Sequence, residues 1–177
     1  KNAIKKFGDA TYIFEYYADM ILFANMKIHI PSIIAKDLSD YRKAGVNKIA
    51  MLTFLRYSWW AYAFNVSTFA NAAWNLNDDY AYSLDEYCRI FFPGSYKTII
   101  EYYSLLEKAS NGLLCFCEYK EEFLDIRDIY PQSFEFYDKH LKTIPESIGI
   151  IKRCGDMLNA LLKTCPENEL QFLNEEI

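Results

Sequence analysis

Glycine and proline are scarce in this chain, six and five among 177 residues, and only two histidines are present. So few breakers exclude collagen-like and low-complexity classes. Positive charge is not in excess either: 19 Lys and Arg face 24 Asp and Glu, a formal net charge of -5. A non-specific nucleic-acid binder carries a basic face, so nucleic acid is not an expected partner. No uninterrupted apolar run approaches the ~20 residues of a membrane helix. The longest candidate, Tyr57 to Trp74, is broken by Ser58, Asn65, Ser67, Thr68 and Asn71, and no membrane partner is expected. The GxSxG, GxGxxG, P-loop and HExxH signatures are absent, and neither a metal nor a cofactor is expected. The five cysteines, Cys88, Cys115, Cys117, Cys154 and Cys165, form no CxxC pair. Their odd number and spacing fit neither a disulfide framework nor a zinc knuckle, and they read as buried thiols of a reducing compartment. The start, Lys1-Asn2-Ala3-Ile4, carries no signal-peptide pattern. A cytoplasmic location is therefore favoured, with an extracellular one open if sequence precedes Lys1. The chain is expected to be part of a longer protein.

What is plentiful is apolar and aromatic material. Hydrophobic residues make up 52% and aromatics 18%, with 15 Tyr, 13 Phe and 3 Trp. That is ample to offset chain entropy and excludes disorder. The segment Thr11-Tyr12-Ile13-Phe14-Glu15-Tyr16-Tyr17 is dense in β-branched and aromatic residues and reads as a strand, with one helix from Asp9 to Asn25 as the open alternative. Pro31 suits a first helical turn, Ile33, Ile34, Leu38 and Tyr41 recur at helical spacing, and Gly45 stands where a left-handed C-terminal residue belongs. Residues 46–54 read as a second strand. Strand, helix and strand in this order predict a crossover with the strands parallel and the helix on one face. A loop at Leu55 to Trp60 leads into a helix with Tyr62, Val66, Phe69, Ala70 and Ala73 on one face.

Beyond Asn75 the texture turns helical. Ser83 to Glu86 reads as a capping box, Pro93-Gly94-Ser95 as a stop, and 96–109 as a helix ended by Asn111-Gly112. Thr143 to Glu146 reads as a second capping box, and Pro166 as the break before a last short helix bearing Leu170, Leu173 and Ile177. The expected fold is mixed but mainly α, with residues 1–75 a βαβα portion and residues 76–177 a helical domain. Two parallel strands with bare edges are not a stable sheet by themselves. The apolar faces of both strands therefore call for partners, from a homodimer, from the remainder of a longer polypeptide, or as an exposed patch.

Two places could carry chemistry. Glu15 is a lone carboxylate in an aromatic strand, suited to acid–base work or to sugar hydroxyls; its bland reading is a solvent-facing side chain. The loop Arg56, Tyr57, Trp59 and Trp60 combines flat apolar rings with a bidentate cation, and Tyr17 joins them as a substrate-binding candidate. Adjacent Trp side chains diverge, so Trp60 is expected in the scaffold and Trp59 at the rim. For His29 and His140, surface or capping roles are expected.

Several segments together resemble the last barrel units of a bacterial glycoside-hydrolase-like domain family. These are Thr11 to Tyr17, His29-Ile30-Pro31, Ala35 to Val46, Asn71-Ala72-Ala73-Trp74-Asn75, Leu84 to Cys88, and Phe91-Phe92-Pro93-Gly94. That family is similar in outline to α-glucuronidases and β-N-acetylhexosaminidases. The resemblance implies that residues 1–75 end a (β/α)8 barrel and that a helical domain follows. It implies action on poly- or oligosaccharides, with carbohydrate as partner. The principal catalytic acid would come from a strand outside this chain, leaving Glu15 an accessory role. The rival expectation is a non-catalytic helical interaction or sugar-binding module.

Overall fold

The computed structural model describes residues 6, 12–18, 27–53, 59–75, 80–113 and 134–176, with backbone alone at 53, 59, 61 and 134–141. Strand β1 (Ile13–Ala18), helix α1 (Pro31–Lys43) and strand β2 (Ile49–Thr53) form the predicted crossover, and the strands pair in parallel with Ile13 opposite Ile49 and Glu15 opposite Met51. A strand thus stands where one long helix was the alternative. The stop of α1 is built as its sequence indicates. Gly45 adopts a φ of 88°, Val46 N–H donates to Tyr41 O at 3.0 Å, and Gly45 N–H to Arg42 O at 2.9 Å. This is the paired-bond C-terminal motif that a glycine without Cβ permits.

The remainder is helical: a 3-10 turn (Trp59–Tyr62), then α2 (Ala63–Trp74), α3 (Tyr80–Phe91), α4 (Tyr96–Leu113) and α5 (Phe134–Leu161), a second 3-10 turn (Glu167–Glu169) and α6 (Leu170–Glu176). Among the described residues no strand follows Thr53, and no helix is long and apolar enough to cross a membrane. The chain is thus mainly α with a two-stranded sheet.

Three predicted helix ends are corrected by packing. Helix α3 begins at Tyr80, and Ser83 is buried within it. The reason is Tyr80, whose ring packs on the core and whose hydroxyl donates to Glu107 Oε2 at 2.9 Å, drawing the helix start forward. Helix α4 runs through Asn111-Gly112 to Leu113. A Cβ at Gly112 would lie 2.3 Å from Ser147 Oγ, so this glycine permits a close helix crossing. Thr143 and Pro145 sit inside α5, where Thr143 Oγ1 donates to Gly112 O at 3.0 Å. The residues that resembled a cap join α5 to α4. Ile177 lies outside the described residues.

Two cores meet across α2. One gathers Trp60, Phe64, Tyr87, Phe92, Tyr102, Tyr103, Leu158 and Leu173 from the helices. The other lies between the sheet and α1, with Tyr17, Ala18, Ile28, Ile30, Ile34 and Leu38, and takes Tyr62 and Ala72 from the α2 region. Polar side chains fasten the seam. Ile30, at the start of α1, offers no capping side chain. Its amide donates instead to Asn65 Oδ1 at 3.1 Å, the His29 amide to Ser110 Oγ at 2.9 Å, and the Ser32 amide to Glu107 Oε1 at 2.9 Å. The Ile30 and Ser32 amides of this helix start are thus satisfied by α2 and α4. Asn65 Nδ2 also donates to Tyr17 O at 3.2 Å and Ile28 O at 2.9 Å.

His29 departs from the expected surface or capping role. Its ring is buried in a three-ring cluster with Phe64 and Tyr103, 5.4 Å from the former and stacked on the latter at 4.7 Å and 3° between planes. Its buried position among these rings holds it neutral: burial, and secondarily the Lys27 charge, lower its pKa to about 3. The side chain of His140 lies outside the described residues.

Candidate functional site

Glu15 and Tyr17 are two residues apart on β1 and share the face that α1 covers. Glu15 Oε1 accepts a hydrogen bond from the Tyr41 hydroxyl, and Tyr17 donates to Asp37 Oδ2 at 3.0 Å. Two carboxylates and two phenols therefore meet between sheet and helix. Burial, then the charges of Asp37 and Glu15, push the Tyr17 phenol far above the usual tyrosine range; burial and Glu15 push Tyr41 the same way. Neither phenol ionises near neutral pH, so both act as donors that hold the carboxylates. The arrangement ties strand to helix, and the Glu15 carboxylate turns toward α1. The opposite face of β1 carries Tyr12, Phe14 and Tyr16, 65%, 44% and 46% exposed.

The second predicted group is only partly in view. Arg56 and Tyr57 lie outside the described residues. The Trp59 backbone opens the first 3-10 turn, and its side chain lies outside what is described. Trp60 packs into the scaffold as expected: it is 7% exposed, stacked on Phe172 at 5.5 Å and edge-on to Phe91 at 5.6 Å.

Trp60 nonetheless reaches a concave surface. Together with Tyr87 and Phe91 it lines a groove of about 470 Å3 between α2 and α3, on the connection that leaves the C-terminal end of β2. Ser67, Asn71 and Glu86 supply polar groups along it, and Asn71 and Glu86 are exposed. Ser67, Asn71 and Trp74 follow i, i+4, i+7 spacing on α2 and so share one face of that helix. Trp74 is 92% exposed. Apolar rings with a few hydroxyl, amide and carboxylate groups beside them suit a ligand that has both apolar faces and many hydroxyls. Among the described residues, no predicted site residue besides Trp60 lines this groove.

Sequence reasoning missed Trp74, Asn71, Ser67 and Glu86. The available signal was a Trp after two alanines at a helix end, at helical spacing from Asn71 and Ser67. Among the described residues no group of three or more His, Cys, Asp or Glu side chains could hold a metal ion. No family model, no curated protein and no solved structure matches the chain.

Proposed function

We propose that this chain is part of a carbohydrate-active, glycoside-hydrolase-like protein, and that a poly- or oligosaccharide lies along the α2–α3 groove with Trp74 as its platform. The observation that carries this reading is the 92% exposure of Trp74 on the helix face of the groove-lining Ser67 and Asn71. A free indole in water is costly, and the C–H face of a sugar ring is a fitting cover. Asn71 and Glu86 supply hydrogen bonds to hydroxyls, and Trp60 and Phe91 give the groove its apolar lining. The chain's own contribution is binding. The hydrolytic carboxylates belong to a barrel whose other strands lie outside this sequence, and residues 1–75 are its closing units.

The test is a glycan-array screen of the protein, followed by calorimetric titration of the best oligosaccharide against Trp74→Ala and Asn71→Ala. Both side chains are exposed, so the variants should melt as the parent does. Loss of about tenfold or more in affinity supports the reading, since stacking is worth ~1–3 kcal/mol where a flat ring platform is removed. Unchanged affinity in both variants sinks it. The rival, an interaction module without catalysis, is favoured by one observation, the exposed Tyr12, Phe14 and Tyr16 face of a parallel sheet. Parallel sheets are normally covered on both faces. A glycan screen without hits, together with self-association by sedimentation, would favour that rival.

A further inference from the structure

A second concavity, sharing no lining residue with the groove, opens between α4 and α5. Its volume is about 330 Å3, within the ~300–1,000 Å3 of small-molecule sites. Leu106, Ile151, Cys154 and Leu158 give it apolar walls. Its polar lining is unusual, because Glu176 of α6 brings a buried carboxylate to it. That carboxylate accepts from Tyr103 Oη at 2.6 Å, from Tyr102 Oη at 3.2 Å and from the Lys27 ammonium. Lys27 Nζ also donates to Glu176 O at 3.4 Å and stands 5.7 Å over the Tyr102 ring.

Asn159 also lines the cleft, and the pair sets the chemistry of a head group that reaches it. Ammonium and carboxylate cancel, so an anionic head meets Glu176 and a cationic head meets Lys27. A carboxylate has about four acceptor sites and an ammonium three donors. Among the described residues Glu176 takes three donors on its carboxylate, and Lys27 directs two bonds at Glu176. Oε2 takes two of those donors and Oε1 one, so one acceptor site, on Oε1, and one ammonium donor remain. A hydroxyl offers one of each, and it is the smallest neutral group that does.

We propose that the α4–α5 cleft binds a small apolar molecule carrying one hydroxyl, an aliphatic alcohol, its oxygen on the Lys27–Glu176 pair and its hydrocarbon against Leu106, Ile151 and Leu158. Gly155 lines the same cleft, and a Cβ there would meet no heavy atom within 4 Å. A larger side chain at 155 therefore enters open space without displacing the fold.

The experiment is calorimetric titration of the intact chain with n-octanol, octanoate and octylammonium, one hydrocarbon with three heads. The expected result is saturable n-octanol binding, with both ionic probes at least about tenfold weaker because a charged head leaves a buried group mispaired. Gly155→Leu should abolish n-octanol binding while the helical circular dichroism and melting temperature stay at or above those of the parent, since leucine is the better helix former. If Gly155→Leu loses its helical signal, Gly155→Ala replaces it, and weaker binding is then the supporting result. No n-octanol binding by the parent, equal binding of the three probes, or undiminished binding by the filled variant overturns the proposal.

Discussion

In the helical unit the rings of Phe64, Tyr87, Phe91, Tyr103 and Phe172 turn toward one another at 4.7–6.2 Å, and the surrounding helices close over most of them. In the strand–helix–strand unit only one side is closed. Ile34 and Leu38 of α1 seal the face that holds Tyr17, while Tyr12, Phe14 and Tyr16 point outward. The same residue types do opposite things because of what surrounds them. A helix hides its apolar stripe against any neighbouring helix, whereas a two-stranded parallel sheet has two faces and only one crossover helix to cover them. The helical unit therefore closes its ring cluster from within, leaving Trp74, Tyr82 and Ile90 exposed on its surface, whereas the sheet leaves one whole aromatic face open.

The largest expected effect tests the closed half. Phe64→Ala removes the ring that touches His29, Tyr80, Tyr87 and Tyr103, and should cost about 3–5 kcal/mol in a urea melt. A cost under about 1 kcal/mol, the level of an uncoupled surface change, would show that the aromatic cluster is not the core. Next comes the seam between the halves. Asn65→Ala orphans the Ile30 amide and the Tyr17 and Ile28 carbonyls, and should cost about 3 kcal/mol, given ~1–3 kcal/mol per buried unpaired group. Were the halves independent, two separate transitions would appear in the melt; one cooperative transition, displaced as a whole, is the expected outcome.

A pH experiment sharpens the same seam. His29 titrates near 6.5 when unfolded and near 3 when folded, so between those values the unfolded chain binds the extra proton. Stability from this residue is complete above about 6.5 and falls as pH drops toward 3, with a slope approaching ~1.4 kcal/mol per pH unit. His29→Phe keeps a ring packed against Phe64 and Tyr103 and removes the titration. Its stability curve should be flatter than the parent's across that window, and parallel curves would mean that His29 is not buried neutral. The smallest effect belongs to the open half. Phe14→Ser should change the melting free energy by no more than about 0.5 kcal/mol, as exposed positions do. A loss comparable to that of Phe64→Ala would mean that the outer sheet face is covered in solution, and sedimentation of the parent would then reveal by how many copies.

Legibility in the sequence followed the range of the interaction. The crossover β1–α1–β2 could be read because its signals are local: a β-rich run, Pro31 at the helix start, and Gly45 at its end. Trp60 could be assigned to the scaffold because adjacent side chains must diverge. The misread places share a single cause. Gly112 and Thr143 are residue types that end or begin helices, yet they meet each other across 31 positions at a helix crossing. Glycine there removes a Cβ from a contact, and threonine spends its hydroxyl on a foreign carbonyl. Ser83 misled in the same way, because Tyr80 was drawn into the core ahead of it.

The candidate site divides along the same line. Composition and pattern alone determined a folded, mainly helical chain with one parallel strand pair, and they singled out Glu15 and the Trp pair as residues of interest. Only the tertiary structure decided that Glu15 turns toward Tyr41 under α1, that His29 lies buried in an aromatic cluster, and that Trp74 stands in solvent on the helix face of groove-lining Ser67 and Asn71. The physical reason is that a side chain's surroundings come from elements far along the chain. Alternation along β1 placed Glu15 and Phe14 on opposite faces, but the packing of α1 chose which face became the interior.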